Sequence, residues 1–549
     1  MYNRKLKTMD DSLINALSNV NDEEEDSYDD EAQHLLNGGV IQSKRFLEQL
    51  YTYYEAGGWH ALLLRQSFDS LNWLLQVVFA YFVLFVFHWF DVLQCVEDCG
   101  DLASYMSFKI NIFSFGYIIV CGFFLIRLFY RNIMVLRKMG RIHTFCKNLG
   151  FDTSISIANL RWDEFTDKLN IPLTSREIAS RLMQYDNFMI ALLNNHHIPT
   201  RIWGIPVFNS MSEIVFKHCV FNVESFTWHT TGKLVNRFRK IGILYLVLLP
   251  VILPLMLFYY ISKNIDCFYI QRNILGPRTY HRETIWFLRE YNELPHFLKR
   301  RLQSSEAKAN EYFDKFQDKT MDRVGNTLRI VSGLVLFFLV AISILDDSLL
   351  LEFTILNKSL LWHLAVWSSL SAFARSLLIT SNDIPNLNQI LLDWSEYSHY
   401  LPDDWYEEPS STTIRDSFSR FFPYRIVKLW YDVLGCILLP YFLIIKWPQK
   451  SDTIINFIQE NSEYVENFGH VCRMAAFDLE TYGNPLYGPC NGRSNGYSQQ
   501  GKLEKSILTF GKNYKDENEK VVHLFPQSLD KNNNINMKIY LERLLQEYP

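Results

Sequence analysis

Four residues of one apolar segment could act on a charged partner. Ala365, Ser368, Ala372 and Arg375 recur at intervals of three and four, so a helix would place these small and polar side chains on one face. An arginine at the centre of a bilayer costs at least about 2.5–3.5 kcal/mol and usually faces protein, water or a phosphate. We interpret this face as a hydrated wall past which a charged headgroup can slide. The alternative is an arginine that only extends from the helix end to the interface.

No motif for bond-making chemistry accompanies this face. The sequence contains no phosphate-binding glycine loop, no GxSxG elbow and no HExxH pair. The nine cysteines are scattered without a CxxC pair, so we expect neither a metal site nor a cofactor. Cys95 and Cys99 share one predicted loop, where a disulfide and free thiols both stay open. A net charge of −5 argues against nucleic acid as a partner, and we expect a protein that is not an enzyme.

The element that must position Arg375 belongs to a set of apolar segments. Three of them, 71–90, 110–130 and 328–345, are uninterrupted and close to the roughly 20 residues that a hydrocarbon core of about 30 Å requires. The fourth, 359–380, is less apolar because it carries His363, several serines and the arginine. With a cytosolic N-terminus, the far-side loops are acidic and the near-side flanks basic, as the positive-inside rule requires. These patterns predict an all-α integral membrane protein with four transmembrane helices.

Two further apolar segments, 241–261 and 429–447, are interrupted by proline. Pro250 and Pro254 lie in the first segment and Pro440 in the second. A proline removes a helix hydrogen bond and clashes with the preceding turn, so a helix bends there. Basic residues flank both segments on both sides, which favours two Pro-kinked re-entrant segments that return to the cytosol. Six full spans are the alternative.

The two ends of the chain read as polar tails. Residues 1–45 include a dense acidic run and are predicted to be disordered. Within them, Glu31 stands four residues before the pair Leu35 and Leu36, a spacing that resembles the dileucine signals read by clathrin adaptors. The start of the next helix is the alternative interpretation. Residues 489–549 are predicted to form a mostly disordered tail, and both termini are expected in the cytosol.

Between the tails lies a predicted membrane core, 46–488, that also contains ordered polar blocks. Residues 177–193 and 283–302 show apolar side chains at helical spacing. Because both blocks fall on the cytosolic side of the predicted topology, they indicate a helical layer beneath the membrane. Basic side chains of this layer could meet anionic headgroups, each contributing about 1 kcal/mol near the surface. The alternative, which we prefer for most of these residues, is a solvated helix face.

The order of several short motifs resembles one known family. The motifs are YTYYEAGGW at 51–59, NELPH at 292–296 (taken as part of a helix), ARS at 374–376, YLPDDW at 400–405, TIRD at 413–416, FFPY at 421–424 and FDLETYGNP at 477–485. Over about residues 50–488 the chain is similar to the autophagy-related protein nine family of multispanning membrane proteins. No single motif decides the resemblance, but their order and spacing together identify it.

The resemblance implies a domain-swapped homotrimer with four spans and two re-entrant segments per subunit. It implies an ATP-independent phospholipid scramblase that equilibrates lipids between the leaflets of autophagosome precursor membranes. The implied locations are the preautophagosomal structure and Golgi-derived and endosomal cytoplasmic vesicles. The implied partners are phospholipids, a bridge-like lipid-transfer protein and the autophagy initiation complex.

Carried over by position, the resemblance also implies two parts of a lipid path. The family's lateral branch falls at Gln271, Arg272 and Asn273. Its central pore face falls near Ala365, Ala372 and Arg375, with Ser368 on the same side of the helix. Two other functions stay open at this point: a membrane scaffold that recruits the lipid-transfer protein and initiation factors, and an ion channel or transporter.

Overall fold

The computed structural model describes residues 44–94, 105–108, 111–148, 157–169, 173, 175–222, 227–269, 278–316, 319–345, 354–355, 358–378, 386–465, 469–477, 483–484 and 501–513. Helices dominate these residues, and the strands are only two to four residues long. The chain divides into two compact units. The first is Met1–Gln184 with Val465–Gly469, and the second is Tyr185–Tyr464 with His470–Pro549.

The first unit is built on two long apolar helices. Its elements are α1 (Lys44–Ala56), α2 (Trp59–Tyr81, continued by a π-helical turn, Phe82–Val86), α3 (Trp89–Gln94), α4 (Ile112–Asn148), a 3-10 turn (Ile157–Asn159), α5 (Trp162–Lys168) and α6 (Ser175–Leu182). Helices α2 and α4 pack together, and Asn132 Nδ2 donates to Ser70 Oγ at 2.7 Å between them. Helices α2 and α4 cover most of the segments 71–90 and 110–130, whose role as membrane spans stays a prediction. The first ends at Val86, because Phe87 is extended, and the second continues far past 130.

The second unit holds the remaining elements. They are α7 (Gln184–Asn194), β1 (Arg201–Ile202), β2 (Ile205–Pro206), α8 (Ser210–Val220), β3 (Phe221–Asn222), β4 (Thr227–Trp228), α9 (Thr231–Tyr269), α10 (Arg282–Leu288), α11 (Pro295–Lys315), α12 (Lys319–Leu345), β5 (Thr354–Ile355), β6 (Lys358–Ser359), α13 (Leu360–Ser376), α14 (Leu387–Ser398), α15 (Asp403–Glu407), α16 (Thr412–Phe421), α17 (Arg425–Tyr441), a π-helical turn (Phe442–Lys446), α18 (Trp447–Gln449), α19 (Ser451–Glu460), β7 (Ser462–Val465), β8 (Gly469–Cys472), a 3-10 turn (Arg473–Ala476) and α20 (Lys502–Asn513). The strands pair in order as four two-stranded sheets.

The two proline-containing segments are continuous helical rods that pack against each other. Helix α9 runs through both Pro250 and Pro254. In α17, Pro440 is followed by the π-helical turn, a wider turn that suits a place where the regular hydrogen-bond ladder is broken. A Cβ on Gly242 would lie 2.7 Å from Ile444 Cγ1, so the rods approach closely where α9 has no side chain. The prolines therefore lie inside helices rather than ending them.

The block predicted as one helix over 283–302 is instead two helices joined by a buried turn. Pro295 is the first residue of α11, and a residue before proline is disfavoured in the helical conformation. Asn292 has a φ of 56°. Its side-chain oxygen accepts a hydrogen bond from Asn187 Nδ2 at 2.8 Å, and its backbone amide donates to Asn187 Oδ1 at 3.0 Å. The motif at 292–296 therefore forms a turn and a helix start. The block at 177–193 is also divided, between α6 and α7.

Part of the predicted C-terminal tail is an ordered helix. Helix α20 lies within the segment 489–549 that the sequence predicts to be mostly disordered. Leu503, Ile507 and Leu508 belong to the main apolar cluster of the second unit. Their spacing of four and one gives a short apolar stripe, which the polar composition of the surrounding segment hides. The rest of that segment, like residues 1–43, lies outside the described residues.

A buried ion pair fixes the turn between α10 and α11. Arg301 donates to both carboxylate oxygens of Glu293, at 2.7 and 2.8 Å, and both side chains are nearly inaccessible. The same guanidinium donates to the carbonyls of Leu288, Tyr397 and Ser398. All five hydrogen bonds are donated by the N–H groups of this one guanidinium. The pair thus holds the end of α10, the turn and the end of α14 together.

We predict that Arg301→Leu strongly destabilises the protein. Removing one partner leaves Glu293 charged and buried without its counter-charge, a change that costs about 3–5 kcal/mol in buried pairs. Arg300 is the matched control, because it neighbours Arg301 on α11 but is exposed. Thermal unfolding in detergent, followed by size-exclusion chromatography, should show a large fall in Tm for Arg301→Leu and almost none for Arg300→Leu. Equal Tm values for the two variants would contradict this role.

Candidate functional site

The predicted polar face lies on α13, on the side turned away from α12. Ala365, Ser368 and Arg375 are exposed and Ala372 is half-buried. The buried side of α13 carries Ser371 and Ala374 instead. The structure therefore brings the four predicted residues to one face, as their spacing required, and this face is more exposed than the side that carries Ser371 and Ala374.

Close packing against α12 fixes how α13 is oriented. A Cβ on Gly325 of α12 would lie 2.8 Å from Leu377 Cβ and 3.0 Å from the carbonyl oxygen of Ala374. Only a glycine permits this approach, as at many helix contacts within membranes. At the other end, Ser359 caps α13 by accepting a hydrogen bond from the amide of Trp362 at 3.4 Å. Because both ends are fixed, the orientation of Arg375 follows from packing rather than from its own contacts.

The lengths of the helices differ from the sequence prediction in one respect. Among the described residues, five helical rods are long and apolar enough to cross a membrane: Trp59–Val86, Ile112–Asn148, Thr231–Lys263, Asp322–Ile344 and Arg425–Gln449. Helix α13 is not among them, because it ends at Ser376 with 17 residues, about 25 Å at 1.5 Å per residue. By length alone, both proline-containing rods could cross a membrane. The helix in the segment predicted as the fourth span, α13, is shorter than all five rods.

Most apolar side chains of these rods point outward. In the apolar windows of the five rods, no more than 33% of the residues are buried, and in α12 the value is 11%. Phe337 and Ile344, both on α12, are each 77% exposed. Exposed apolar surface on this scale is unfavourable in water and favourable in hydrocarbon. The rods thus have the surface of a membrane protein.

Some predicted site residues lie outside the described residues. They are the lateral-branch residues Gln271, Arg272 and Asn273 and the sorting-motif residues Glu31, Leu35 and Leu36. Both sets stay predictions. Within the part of the chain that is described, no group of three His, Cys, Asp or Glu side chains is placed to hold a metal ion.

The sequence did not predict a cluster of partly buried charges beside α10. Lys217 bridges Asp186 at 2.7 Å and Glu213 at 3.1 Å, and Arg289 reaches Asp186 at 3.1 Å. Arg282 also pairs with Glu213. Burial by itself raises the pKa of Asp186, but Arg289 and Lys217 outweigh it, so the pKa falls below its usual value.

This charged cluster joins three helices rather than forming a reactive centre. Asp186 lies on α7, Lys217 on α8 and Arg289 just beyond α10. Every acid in it is paired with a base, so it carries no group poised to accept or donate a proton at neutral pH. The single signal in the sequence was the spacing of Glu213 and Lys217, four residues apart on one helix. The remaining partners are far apart in sequence, so no local pattern could reveal them.

Comparisons with known proteins agree with this architecture. A family model described as Autophagy protein ATG9 matches residues 40–478. Autophagy-related protein 9 of Dictyostelium discoideum is 24% identical over 536 residues, covering 89% of this chain and 75% of that protein. The Neurospora crassa protein of the same name is 27% identical over 411 residues, covering 70% and 44%. The Arabidopsis thaliana protein is 24% identical over 547 residues, covering 87% and 62%.

A solved structure supports the fold independently. The cryo-EM structure of Schizosaccharomyces pombe Atg9 is similar with a TM-score of 0.61 and 23% sequence identity, covering 80% of this chain and 99% of that one. The chain spans less than two thirds of the length of several relatives, including those of Neurospora crassa and Arabidopsis thaliana. The family match over residues 40–478 nevertheless covers the apolar rods and the polar elements between them. The chain therefore belongs to the ATG9 family of autophagy membrane proteins.

Proposed function

We propose that this protein is a phospholipid scramblase, which equilibrates lipids between the leaflets of autophagosome precursor membranes without ATP and without bond chemistry. The observation that carries the proposal is the outward face of α13, where Ala365, Ser368 and Arg375 are exposed on a helix packed against the apolar rod α12. In plain hydrocarbon, polar side chains on such a face would be energetically unfavourable. The face suits a path that admits water and a lipid headgroup.

The physical argument concerns the barrier to a headgroup. A charge or an unpaired polar group in hydrocarbon costs several kcal/mol, so headgroups cross a pure bilayer slowly. A hydrated groove lowers that cost because water, serine hydroxyls and the Arg375 guanidinium replace the lost solvation. The small side chains of Ala365 and Ala372 leave room for the headgroup. Since nothing in this scheme consumes energy, lipid should move in both directions.

The wider assembly is also a proposal. We place four spans and two re-entrant segments in each subunit of a domain-swapped homotrimer, in which the α13 faces surround a central pore. A lateral branch would open at Gln271, Arg272 and Asn273. The protein would work on Golgi-derived and endosomal cytoplasmic vesicles and at the preautophagosomal structure, with both termini in the cytosol. Glu31, Leu35 and Leu36 would address it to clathrin adaptors.

Its partners would follow from the lipid imbalance that it relieves. A bridge-like lipid-transfer protein delivers lipid to one leaflet, and scrambling would let the other leaflet grow. The autophagy initiation complex would recruit the vesicles. A scaffold that only recruits these partners would need no polar face within its membrane helices, and the exposed Ser368 and Arg375 favour the scramblase.

The proposal predicts lipid flipping by purified protein and its loss on blocking α13. Liposomes containing the protein and a fluorescent phospholipid should bleach with dithionite well beyond the outer-leaflet half. Ala365→Trp should slow bleaching by filling the face, whereas Val366→Trp should not, since Val366 is exposed on another side of the same helix. Arg375→Leu should also slow it several-fold, and Arg329→Leu, an exposed arginine of α12, serves as its control.

Two controls separate the alternatives. A soluble fluorophore trapped inside the liposomes must stay unbleached, because a channel that admits dithionite would bleach it together with the lipid. Native mass measurement must show the same oligomer for every variant. If wild-type protein bleaches no more lipid than empty liposomes, the scramblase proposal fails. If only the α13 variants are without effect, the path lies elsewhere.

The topology predicts which side of the membrane Cys267 faces. Cys267 lies near the end of α9, so a re-entrant α9 keeps it on the side of the N-terminus, and a spanning α9 puts it on the far side. In vesicles whose N-terminal tag is accessible, a membrane-impermeant thiol reagent should label wild-type protein more than Cys267→Ser. Labelling of Cys267 only after detergent is added would support the six-span alternative.

A further inference from the structure

A stripe of exposed side chains runs along the first half of α9. Lys233, Arg237, Lys240, Leu244 and Val247 follow one another at intervals of four, three, four and three residues, and all five are exposed. At about 100° per residue, these intervals keep the five side chains within about 40° of one line along the helix. The first three are cationic, while Leu244 and Val247 are apolar and 59% and 70% exposed. This α9 stripe therefore changes from charge to hydrocarbon within one helical turn.

The three cations of the α9 stripe are not neutralised within the described part of the chain. No Asp or Glu side chain among the described residues forms an ion pair with Lys233, Arg237 or Lys240, whereas every base of the charged cluster beside α10 is paired. Lys233 and Lys240 are separated by about 10 Å along the helix axis, close to the distance over which salt screens charges. Their charges therefore act together on a single anionic group.

Two contacts hold Arg237 in place at the surface. Its Nη1 donates to His229 Nε2 at 2.6 Å, and its Nη2 donates to the carbonyl of His218 at 2.9 Å. His229 can accept this bond only while Nε2 is unprotonated, and burial, reinforced by Arg237 and Lys233, lowers the pKa of His229 below its usual value. The contacts use two of the five N–H donors of the guanidinium. The remaining donors are therefore prepositioned for an anion, which reduces the entropy lost on binding.

The boundary within the α9 stripe marks a level in the membrane. Helix α9 contains one of the apolar rods, and its start would lie on the cytosolic side in both the four-span and the six-span alternatives. Basic residues on this side attract the anionic lipids of the cytosolic leaflet. The positive-inside rule accounts for cations near the start of the helix, but it does not require them to lie in line with exposed apolar residues. A molecule that matches the whole stripe needs an anionic head and a hydrocarbon chain.

We propose that the α9 stripe binds one anionic phospholipid, with the headgroup among Lys233, Arg237 and Lys240 and an acyl chain along Leu244 and Val247. Charge complementarity selects the class, because the three cations repel the ammonium group of a zwitterionic headgroup. A soluble anion lacks the chain that covers the apolar part of the stripe. The site lies on α9 rather than on the polar face of α13, and it holds a lipid in place. The inference therefore does not rest on the scramblase proposal.

The test compares two phospholipids as ligands of the full-length protein in detergent. Protein freed of bound lipid is titrated with phosphatidylserine or with phosphatidylcholine of the same acyl chains, and native mass spectrometry measures the bound fraction. Phosphatidylserine should bind at least about tenfold more tightly at the first site, because several basic residues contribute to the attraction. This advantage should shrink as the salt concentration rises, since the charges of the stripe are exposed.

Two neighbouring residues of α9 give a matched pair of variants. Lys240→Gln should weaken phosphatidylserine binding about fivefold, which is the contribution of one basic residue near an anionic surface. Adding Lys233→Gln should weaken it further by a similar factor. Arg239→Gln is the control, because Arg239 is exposed but lies about 100° from Lys240 around the helix. All three residues are exposed, so the variants should keep the fold of the wild-type protein.

Two further comparisons test the class of ligand and its place on the protein. Glycerophosphoserine, the soluble headgroup, should not displace the lipid at the same concentration, and displacement would show that the site binds a free anion instead. Arg375→Leu should keep the preference for phosphatidylserine, and loss of the preference in this variant would assign the bound lipid to the face of α13. Equal affinities for the two lipids, or equal effects of Lys240→Gln and Arg239→Gln, would likewise overturn the proposal.

Discussion

The rest of the second unit depends on the buried pair of Arg301 and Glu293. Removing two charges from water costs several kcal/mol per ion, and such a pair is tolerated only when its remaining donors and acceptors are used. Arg301 meets this condition with five hydrogen bonds, three of them to backbone carbonyls. The pair therefore acts as a geometric constraint on the chain between α10 and α11. Helix α11, whose start is held in this way, is the helix that precedes α12 in the chain.

A membrane places a different requirement on α12 and α13, which need apolar outer surfaces and close packing rather than paired charges. Their outward residues are apolar over most of their surface, and the two helices approach closely at Gly325, which lies against Leu377 and the backbone of Ala374. Small residues at the contact let α13 approach closely, and Ala365, Ser368 and Arg375 stay exposed on its outer face. The same physical rule thus produces both the helix pair and the exposed position of Arg375. A path for headgroups needs no dedicated machinery beyond this arrangement.

The sequence predicted those parts of the fold that depend on local pattern. Apolar length located α2, α4 and α12, and spacing placed Ala365, Ser368, Ala372 and Arg375 on one face. It did not predict the turn at Asn292, because a left-handed residue held by Asn187 is a long-range effect. The sequence also did not predict α20, because the few apolar residues of this helix are stabilised only by long-range packing against the core. The charged partners of Asp186 were hidden for the same reason, since they lie far apart in sequence.

Albumin back-extraction would test the central claim most directly, because it measures lipid position without a reductant that has to be excluded from the liposome interior. Labelled phospholipid is started in either the outer or the inner leaflet of liposomes that contain purified protein, with no nucleotide present. A passive, hydrated path predicts that the extractable fraction converges on the same value from both starting states, at similar rates. Label that stays in its starting leaflet, or that moves only after ATP is added, would contradict the account.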